Sequence, residues 1–107
     1  MRRVGGRFSR NVVLASGQRT SVRLERVLWA GYEEICRLVG LNRHELVRRI
    51  DGRRPAELGL TGAIRVFLMS YYRARSRLSA GSPNLQLAAA LDALSEVGAN
   101  TESKNKG

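Results

Sequence analysis

The residues whose types and spacing best suit chemistry with another molecule lie between Gly17 and Glu25, in the sequence GQRTSVRLE. Successive side chains of a β-strand point to opposite faces, so Arg19, Ser21 and Arg23 would share one face. The alternate residues would share the other face, which can enter a core: Thr20, Val22 and Leu24. Two guanidinium groups flanking a hydroxyl can hydrogen-bond to base edges in the DNA major groove, which admits a two-stranded ribbon. The alternation therefore predicts that Arg19, Ser21 and Arg23 contact DNA bases.

The predicted strand needs a partner, because an unpaired strand edge invites aggregation. The sequence after Glu25 has a helical pattern, so no later segment of the chain is an obvious partner. Pairing with the same strand of a second copy would solve this problem and would make the protein a homodimer. The second-ranked possibility is a short strand, Asn11–Ala15, that folds back through Ser16 and Gly17 as a hairpin within one chain.

The charge of the chain indicates a polyanionic partner. Among 107 residues, 19 Lys and Arg stand against nine Asp and Glu, which gives a net charge of +10. Arg outnumbers Lys 17 to 2, which favours bidentate contacts with guanine or phosphate, although a genome rich in G and C would produce the same bias. The basic regions are Met1–Arg26, with seven Arg and one Glu, and Arg43–Arg77, with nine Arg and three acidic residues.

The inventory of reactive groups argues against an enzyme or a metal site. The chain has one His, one Cys and two Asp, with no nucleophile beside a base and no Gly-rich phosphate loop between a strand and a helix. We therefore expect no catalytic residue, no cofactor and no metal, and we expect His44 to be exposed in the first turn of a helix. The single Cys36 excludes a disulfide framework within one chain and fits a reducing cytoplasm. No apolar run approaches the ~18 residues of a membrane span.

Helical periodicity and capping signals follow the strand. A first helix, Glu25–Val39, should end at Gly40, because glycine is favoured just past a helix C-terminus. Asn42 should cap a second helix, Arg43–Asp51, in a capping box with Glu45.

Two more helices are expected further along the chain. One, capped by Thr61, should run to about Arg77, and a weaker amphipathic helix should span Leu85–Val97. The apolar faces of the first three helices define the expected core, in which the aromatic residues pack and do not stack on bases: Leu28, Trp29, Tyr32, Ile35, Cys36, Val39, Leu46, Val47, Ile50, Ile64, Phe67, Leu68 and Tyr71.

These patterns divide the chain into three parts. Residues 1–16 form a basic N-terminal arm, whose first ten residues lack periodicity and should be mobile. Residues 17–78 form the candidate DNA-binding domain, including the third helix. Residues 79–107 form a linker, the weak amphipathic helix and a tail that should be disordered from Gly98 onwards. Residues 85–97 could pack on the body or bind a partner protein.

The order of one strand, a helix, a Gly turn and a capped second helix resembles the ribbon-helix-helix DNA-binding family. The resemblance covers about Gln18–Asp51, with RTSVRLE and GLNRHELV as its most specific pieces, and LTGAIRVFLMSYYR resembles the third helix of a subfamily common in bacteria. It implies a mainly α fold with one short β-strand, in which two chains form a homodimer through an intermolecular antiparallel ribbon. It also implies that the three alternating ribbon residues read bases, while backbone amides around Asn42 and Arg43 hold a phosphate.

This resemblance, with the charge, predicts double-stranded DNA and a second copy as partners, and no membrane. We expect a bacterial or phage transcriptional regulator, most simply a repressor that occupies an operator on the cytoplasmic nucleoid. One alternative is an antitoxin-like protein that also captures a second protein through residues 85–97. Another is a small RNA-binding or nucleoid protein that uses charge alone. The short second helix and the break DGRRPAELG leave open whether the second or third helix completes the dimer core.

Overall fold

The computed structural model of the chain describes residues 6–77 and 82–106, with side chains up to residue 97. In this part of the chain, two strands form an antiparallel hairpin, β1 (Arg7–Val13) and β2 (Arg19–Glu25). Four helices follow in the described residues: α1 (Arg26–Val39), α2 (Arg43–Arg53), α3 (Leu60–Arg77) and α4 (Pro83–Lys106). The predicted mainly helical fold is confirmed, with a two-stranded ribbon at its N-terminal end that forms within one chain, where a ribbon between two chains was predicted.

The ribbon is formed within one chain. The register of β1 and β2 places Asn11 opposite Ser21 at the centre of the hairpin. The connecting turn uses Gly17, whose φ of 91° lies in the left-handed region that glycine tolerates. The amide of Gly17 donates to the carbonyl of Leu14 at 2.9 Å and closes the turn.

The predicted count of one strand is wrong, because β1 of the same chain pairs with β2. The second-ranked hairpin is confirmed, with a first strand that begins at Arg7 instead of Asn11. Polar composition hid β1 from the sequence pattern, since its inner face carries Arg10 between Phe8 and Val12. The expectation of a mobile arm fails for residues 7–10, which belong to β1, and residues 1–5 lie outside the described residues.

The hairpin and the helices enclose one hydrophobic core. Nearly all the apolar residues predicted for α1, α2 and α3 are buried in it, whereas Leu28 and Val39 are only partly buried. The inner face of the hairpin contributes three residues: Val12, Val22 and Leu24. Burial of this face fixes which side of the hairpin is left to solvent, because a slip of one residue would exchange the two faces.

Local signals set the end of α1 and the start of α2 as predicted. α1 is followed by Gly40 in the left-handed conformation, with φ of 74°. α2 begins with the predicted capping box, in which the side chains of Asn42 and Glu45 each accept from the other residue's amide at 2.8 Å. The second helix runs to Arg53, two residues beyond the expected Asp51.

The third helix begins slightly earlier than its predicted cap. α3 starts at Leu60, and the carbonyl of Gly59 accepts from the amide of Ala63 at 2.9 Å. Thr61 therefore lies inside the first turn instead of capping it. The helix ends at Arg77, as predicted.

The C-terminal helix is longer than expected and belongs to the body of the protein. α4 begins at Pro83 and continues through the region from Gly98 that was expected to be disordered. It packs along α3 and buries its apolar residues in the common core: Leu87, Ala90, Leu91 and Leu94. Residues 79–81 of the expected linker lie outside the described residues. None of the described helices combines the length and hydropathy needed to cross a membrane.

Candidate nucleic-acid interface

The outer face of the hairpin carries the three predicted base-contacting residues. Arg19, Ser21 and Arg23 are all exposed, while Val22 and Leu24 between them are buried. The outer face also receives polar side chains from β1, which the sequence prediction missed: Arg7, Ser9 and Asn11. We call these six residues the outer ribbon face. In the sequence RFSRNVV, the alternation of Ser9 and Asn11, followed by the apolar Val12, was the only signal for these β1 residues. This alternation can be recognised as one face of a strand only once β1 is paired with β2.

A hydrogen bond links the two strands at the centre of this face. The hydroxyl of Ser21 donates to Oδ1 of Asn11 at 3.0 Å. No other partner of the Asn11 side chain is found among the described residues, so its amide nitrogen faces solvent with both donors free. The pair joins residues that lie directly opposite each other in the register.

The two β2 arginines on the outer face keep their full charge available. In the described part of the chain, neither the Arg19 nor the Arg23 side chain forms an ion pair or a hydrogen bond. Arg7, on the same face, lies 3.5 Å from the carboxylate of Glu25 and is partly neutralised. The arginines of the outer ribbon face that have no carboxylate partner among the described residues are therefore Arg19 and Arg23, both on β2.

The base of the hairpin is fastened to α3. The guanidinium of Arg65 donates to the Glu25 carboxylate at 2.6 Å. A hydrogen bond from its own backbone amide, followed by the bond from Arg65, lowers the pKa of Glu25 below its ordinary value of 4.5. Glu25 stands at the N-cap of α1 but makes no side-chain cap, because its carboxylate is directed to arginine.

The middle of the hairpin is fastened to α1. Nε1 of Trp29 donates to the carbonyl of Phe8 at 2.8 Å. Arg10 donates to Glu33 at 2.6 Å and places its guanidinium 5.2 Å from the centre of the Trp29 ring. Trp29 and its neighbour Tyr32 are core residues, as predicted.

The turn end of the hairpin is fastened to α2 through Val13. Its backbone amide donates to Nδ1 of His44 at 3.1 Å, and its carbonyl accepts from Nε of Arg48 at 3.2 Å. His44 is therefore partly buried and hydrogen-bonded, and the prediction of a simply exposed side chain was wrong. Its partner lies 31 residues earlier in the chain, so no local pattern could reveal the contact. Because Val13 lies opposite Arg19, this contact brings the start of α2 next to one end of the outer ribbon face.

The start of α2 offers backbone amides, as the phosphate prediction requires. The amide of Asn42 itself is occupied by the Glu45 carboxylate, whereas those of Arg43 and His44 have no acceptor among the described residues. The hydroxyl of Tyr32 donates to the carbonyl of Arg43 at 2.7 Å and fixes this turn to the core. Burial raises the pKa of Tyr32, so the hydroxyl remains a donor at neutral pH.

The other groups with reactive potential are not arranged for chemistry. Burial raises the pKa of the Cys36 thiol to about 11, so the thiol stays protonated and unreactive near neutral pH. Among the described residues, no group of three or more His, Cys, Asp or Glu side chains could hold a metal ion.

The ribbon, its exposed basic face and the capped second helix define a class of DNA-binding proteins that insert β-strands into a groove. The ribbon-helix-helix domain family matches residues 8–72, which is more than half of the chain, and the protein belongs to this family of DNA-binding regulators. The match starts inside β1 and ends in α3, so it takes in both strands. No curated protein and no solved structure matches the chain.

Proposed function

We propose that this protein is a sequence-specific transcriptional regulator of a bacterial cell, and that it represses genes by occupying an operator on the nucleoid. The ribbon enters the major groove, where Arg19, Ser21 and Arg23 contact base edges. The observation that carries the proposal is the exposure of Arg19 and Arg23 without a partner among the described residues. A free guanidinium fork matches the O6 and N7 acceptors of guanine.

The start of α2 supplies the phosphate contact in this proposal. Asn42 holds the first turn in shape, while the free backbone amides of Arg43 and His44 face the DNA backbone. The His44 contact with Val13 holds this anchor in a fixed position relative to the ribbon.

The proposed regulator is a homodimer, with a second copy seated in an apolar groove between α1 and α3. This groove of about 830 Å³ is lined by apolar and small residues that include Val27, Gly31 and Met69. Val27 and Met69 are 74% and 64% exposed, which is unusual for such apolar side chains on neighbouring helices. Arg37 lies along the same groove, where Glu34 already has Tyr72 and Arg75 of its own chain as partners.

The position of the α1–α3 groove suits a dimer that binds DNA. Val27 lies two residues after Glu25, where the ribbon ends, so a second copy docked there would carry a second ribbon on the same side. Each chain would then place its own hairpin in the major groove. Two such ribbons call for half-sites about one helical turn apart, roughly 10 bp from centre to centre.

Met69→Glu tests the homodimer, with Leu85→Glu as a matched control. The two side chains are 64% and 63% exposed, but Leu85 lies on α4, outside the groove. A buried charge at the interface should weaken dimerisation about 10- to 100-fold for Met69→Glu and leave it unchanged for Leu85→Glu. Sedimentation equilibrium across a dilution series measures both constants. A wild-type chain that stays monomeric, or a Met69→Glu variant that still dimerises normally, would remove the groove from the proposal.

The structure does not favour the antitoxin-like alternative. Residues 85–97 were the candidate segment for capturing a partner protein, but Leu87, Leu91 and Leu94 are buried against the rest of the fold. An apolar face that is already covered has little area to offer a second protein. Binding through charge alone to RNA or to any DNA is the remaining alternative, and it differs from our proposal in its lack of sequence preference.

Selection of bound sites from random duplex DNA tests the proposed function directly. The full chain should enrich a defined motif at physiological salt, with guanines at positions contacted by the ribbon. Equal affinity for all selected and unselected duplexes would contradict sequence-specific regulation and support the charge-only alternative.

A further inference from the structure

We propose that β1 is a second base-reading strand, in which Asn11 recognises an adenine at the centre of the site contacted by each ribbon. This inference rests on the proposed function and extends it to a strand that the predicted interface did not include. It follows that one chain supplies both reading strands of its ribbon, and that Asn11 determines specificity together with Arg19 and Arg23.

The register places Asn11 where such a contact requires it. Residues opposite each other in an antiparallel pair project on the same side of the sheet, so Asn11 shares the outer face with Ser21. Ser21 itself lies between Arg19 and Arg23 along β2. Asn11 is exposed, while the next residue, Val12, is 1% exposed and holds the inner face in the core. The burial of Val12 thus directs Asn11 outwards.

The chemistry of the Asn11 side chain fits adenine. An asparagine amide can accept from N6 of adenine and donate to N7 at the same time, which distinguishes adenine from the other bases in the major groove. The Asn11 amide nitrogen has both donors free in the described part of the chain, and Oδ1 retains one lone pair after it accepts from Ser21.

In addition to its own proposed base contact, Ser21 acts on the Asn11 contact as a positioning residue. Its hydroxyl donates to Oδ1 of Asn11 at 3.0 Å and thereby sets the orientation of the amide plane before DNA is bound. Because it reduces the rotamers that Asn11 must lose on binding, this bond should sharpen the adenine preference. The free Arg19 and Arg23 on either side provide guanine contacts next to the central adenine.

The test is a selection from a library of random 30-bp duplexes, run in parallel with the wild-type chain and its variants. Asn11→Ala should lose the preference for adenine at one position of the motif and keep the guanine positions. Asn11→Asp should change that preference from adenine to cytosine, because a carboxylate accepts from N4 of cytosine. Asn84→Ala is the matched control, since Asn84 is also an exposed asparagine and lies on α4, away from the ribbon.

Binding to the selected duplex and to its single-base variants then gives the size of the effect. Wild type should prefer adenine at the central position by about 5- to 150-fold, and Asn11→Ala should reduce this ratio to near 1. Ser21→Ala should lower the ratio only partly, without changing the salt dependence of binding, which reports phosphate contacts. The gain of cytosine preference in Asn11→Asp cannot arise from a loss of folding.

The outcomes separate this inference from the proposed function. If wild type selects a motif and Asn11→Ala selects the same motif with unchanged preferences, the ribbon binds DNA specifically but β1 does not read it. If wild type selects no motif, the proposed function and this inference both fail. If Asn84→Ala changes the motif as much as Asn11→Ala does, the effect is not specific to β1 and the inference is overturned.

Discussion

The two faces of the hairpin use arginine in opposite ways. On the inner face, Arg10 donates to Glu33 and lies over the ring of Trp29. Its guanidinium is therefore occupied by contacts that hold β1 to α1. On the outer face, Arg7 lies 3.5 Å from the Glu25 carboxylate, whereas Arg19 and Arg23 contact no carboxylate in the described part of the chain. The same residue type in the same hairpin therefore serves the fold at Arg10 on the inner face and remains available at Arg19 and Arg23 on the outer face.

This difference shows that a binding surface is better identified by which arginines lack a carboxylate partner than by how many arginines the sequence contains. Most arginines with a carboxylate nearby lie away from the outer ribbon face and serve the body of the fold. Three connect separate elements, namely Arg53 with Asp92, Arg65 with Glu25 and Arg75 with Glu34, and Arg54 pairs with Asp51 at the end of α2. A high Arg count alone would have assigned all of them to DNA. The alternation of the strands separates the two roles, because adjacent positions face opposite sides.

Val22→Asp should disrupt the packing of the hairpin's inner face in the core and have the largest effect, a loss of folding stability. Val22 is 1% exposed and lies directly between two outer-face residues, Ser21 and Arg23. A carboxylate at this position would be buried without a partner, which costs about 3–5 kcal/mol and should leave most of the chain unfolded. Urea unfolding followed by circular dichroism measures the loss. Unchanged stability would mean that the hairpin does not pack on the helices as described.

Arg23→Ala and Arg19→Ala should leave the fold intact and weaken DNA binding. Loss of one bidentate guanine contact should cost about 1–3 kcal/mol on a selected duplex and relax the preference at one base pair. Titrations at several salt concentrations, on matched and single-base-variant duplexes, measure both effects. A uniform loss on all duplexes, with base preference retained, would instead identify the two side chains as phosphate contacts.

Arg10→Ala should have the opposite effects to Arg23→Ala: it should lower the stability of the fold and leave base preference unchanged. Removal of a half-exposed ion pair and of the contact with Trp29 should lower the free energy of unfolding by about 1–2 kcal/mol. Base preference should stay unchanged, since Arg10 does not belong to the outer ribbon face. Thermal melting and the selected-duplex titration, run beside Arg23→Ala, give the comparison. Equal stability of the two variants would contradict a structural role for Arg10.

Much of this architecture follows from local signals in the sequence. The apolar periodicity of α1 and α3, the capping box at Asn42 and the glycine after α1 all act within a few residues of one another, so the sequence could predict them. The strict alternation of β2 likewise predicted the positions of Arg19 and Arg23, whose role as base readers stays a prediction.

The parts that were missed depend on contacts between distant residues. β1 was obscured because Arg10 occupies an inner position that only the distant Glu33 and Trp29 make suitable. The weak amphipathic pattern of α4 did not decide between packing on the body and binding a partner, and the bond from Val13 to His44 joins two separate elements. These contacts form only in the folded chain, which is why local patterns did not reveal them.

Glu25→Gln should have the smallest effect, and it tests how the base of the hairpin is held. Glu25 ends β2 and accepts from Arg65, and the pKa of its carboxyl is lower in the folded chain than its ordinary value of 4.5. The folded state therefore takes up a proton at this site at a lower pH than the unfolded state does. The stability contributed by Glu25 is complete above pH 4.5 and disappears as the pH falls through the lowered pKa.

The wild type should thus lose more thermal stability between pH 5 and pH 3 than Glu25→Gln does, because the variant has no carboxyl to protonate at this position. Glu57→Gln is the control, since Glu57 is exposed and forms no ion pair among the described residues. Melting temperatures measured at pH 7, 5, 4 and 3 should converge for wild type and Glu25→Gln only at the acid end, whereas Glu57→Gln should follow the wild type throughout. If Glu25→Gln also follows the wild type at every pH, the ion pair with Arg65 does not hold the hairpin, and the contacts of Trp29 and His44 must fix the outer ribbon face instead.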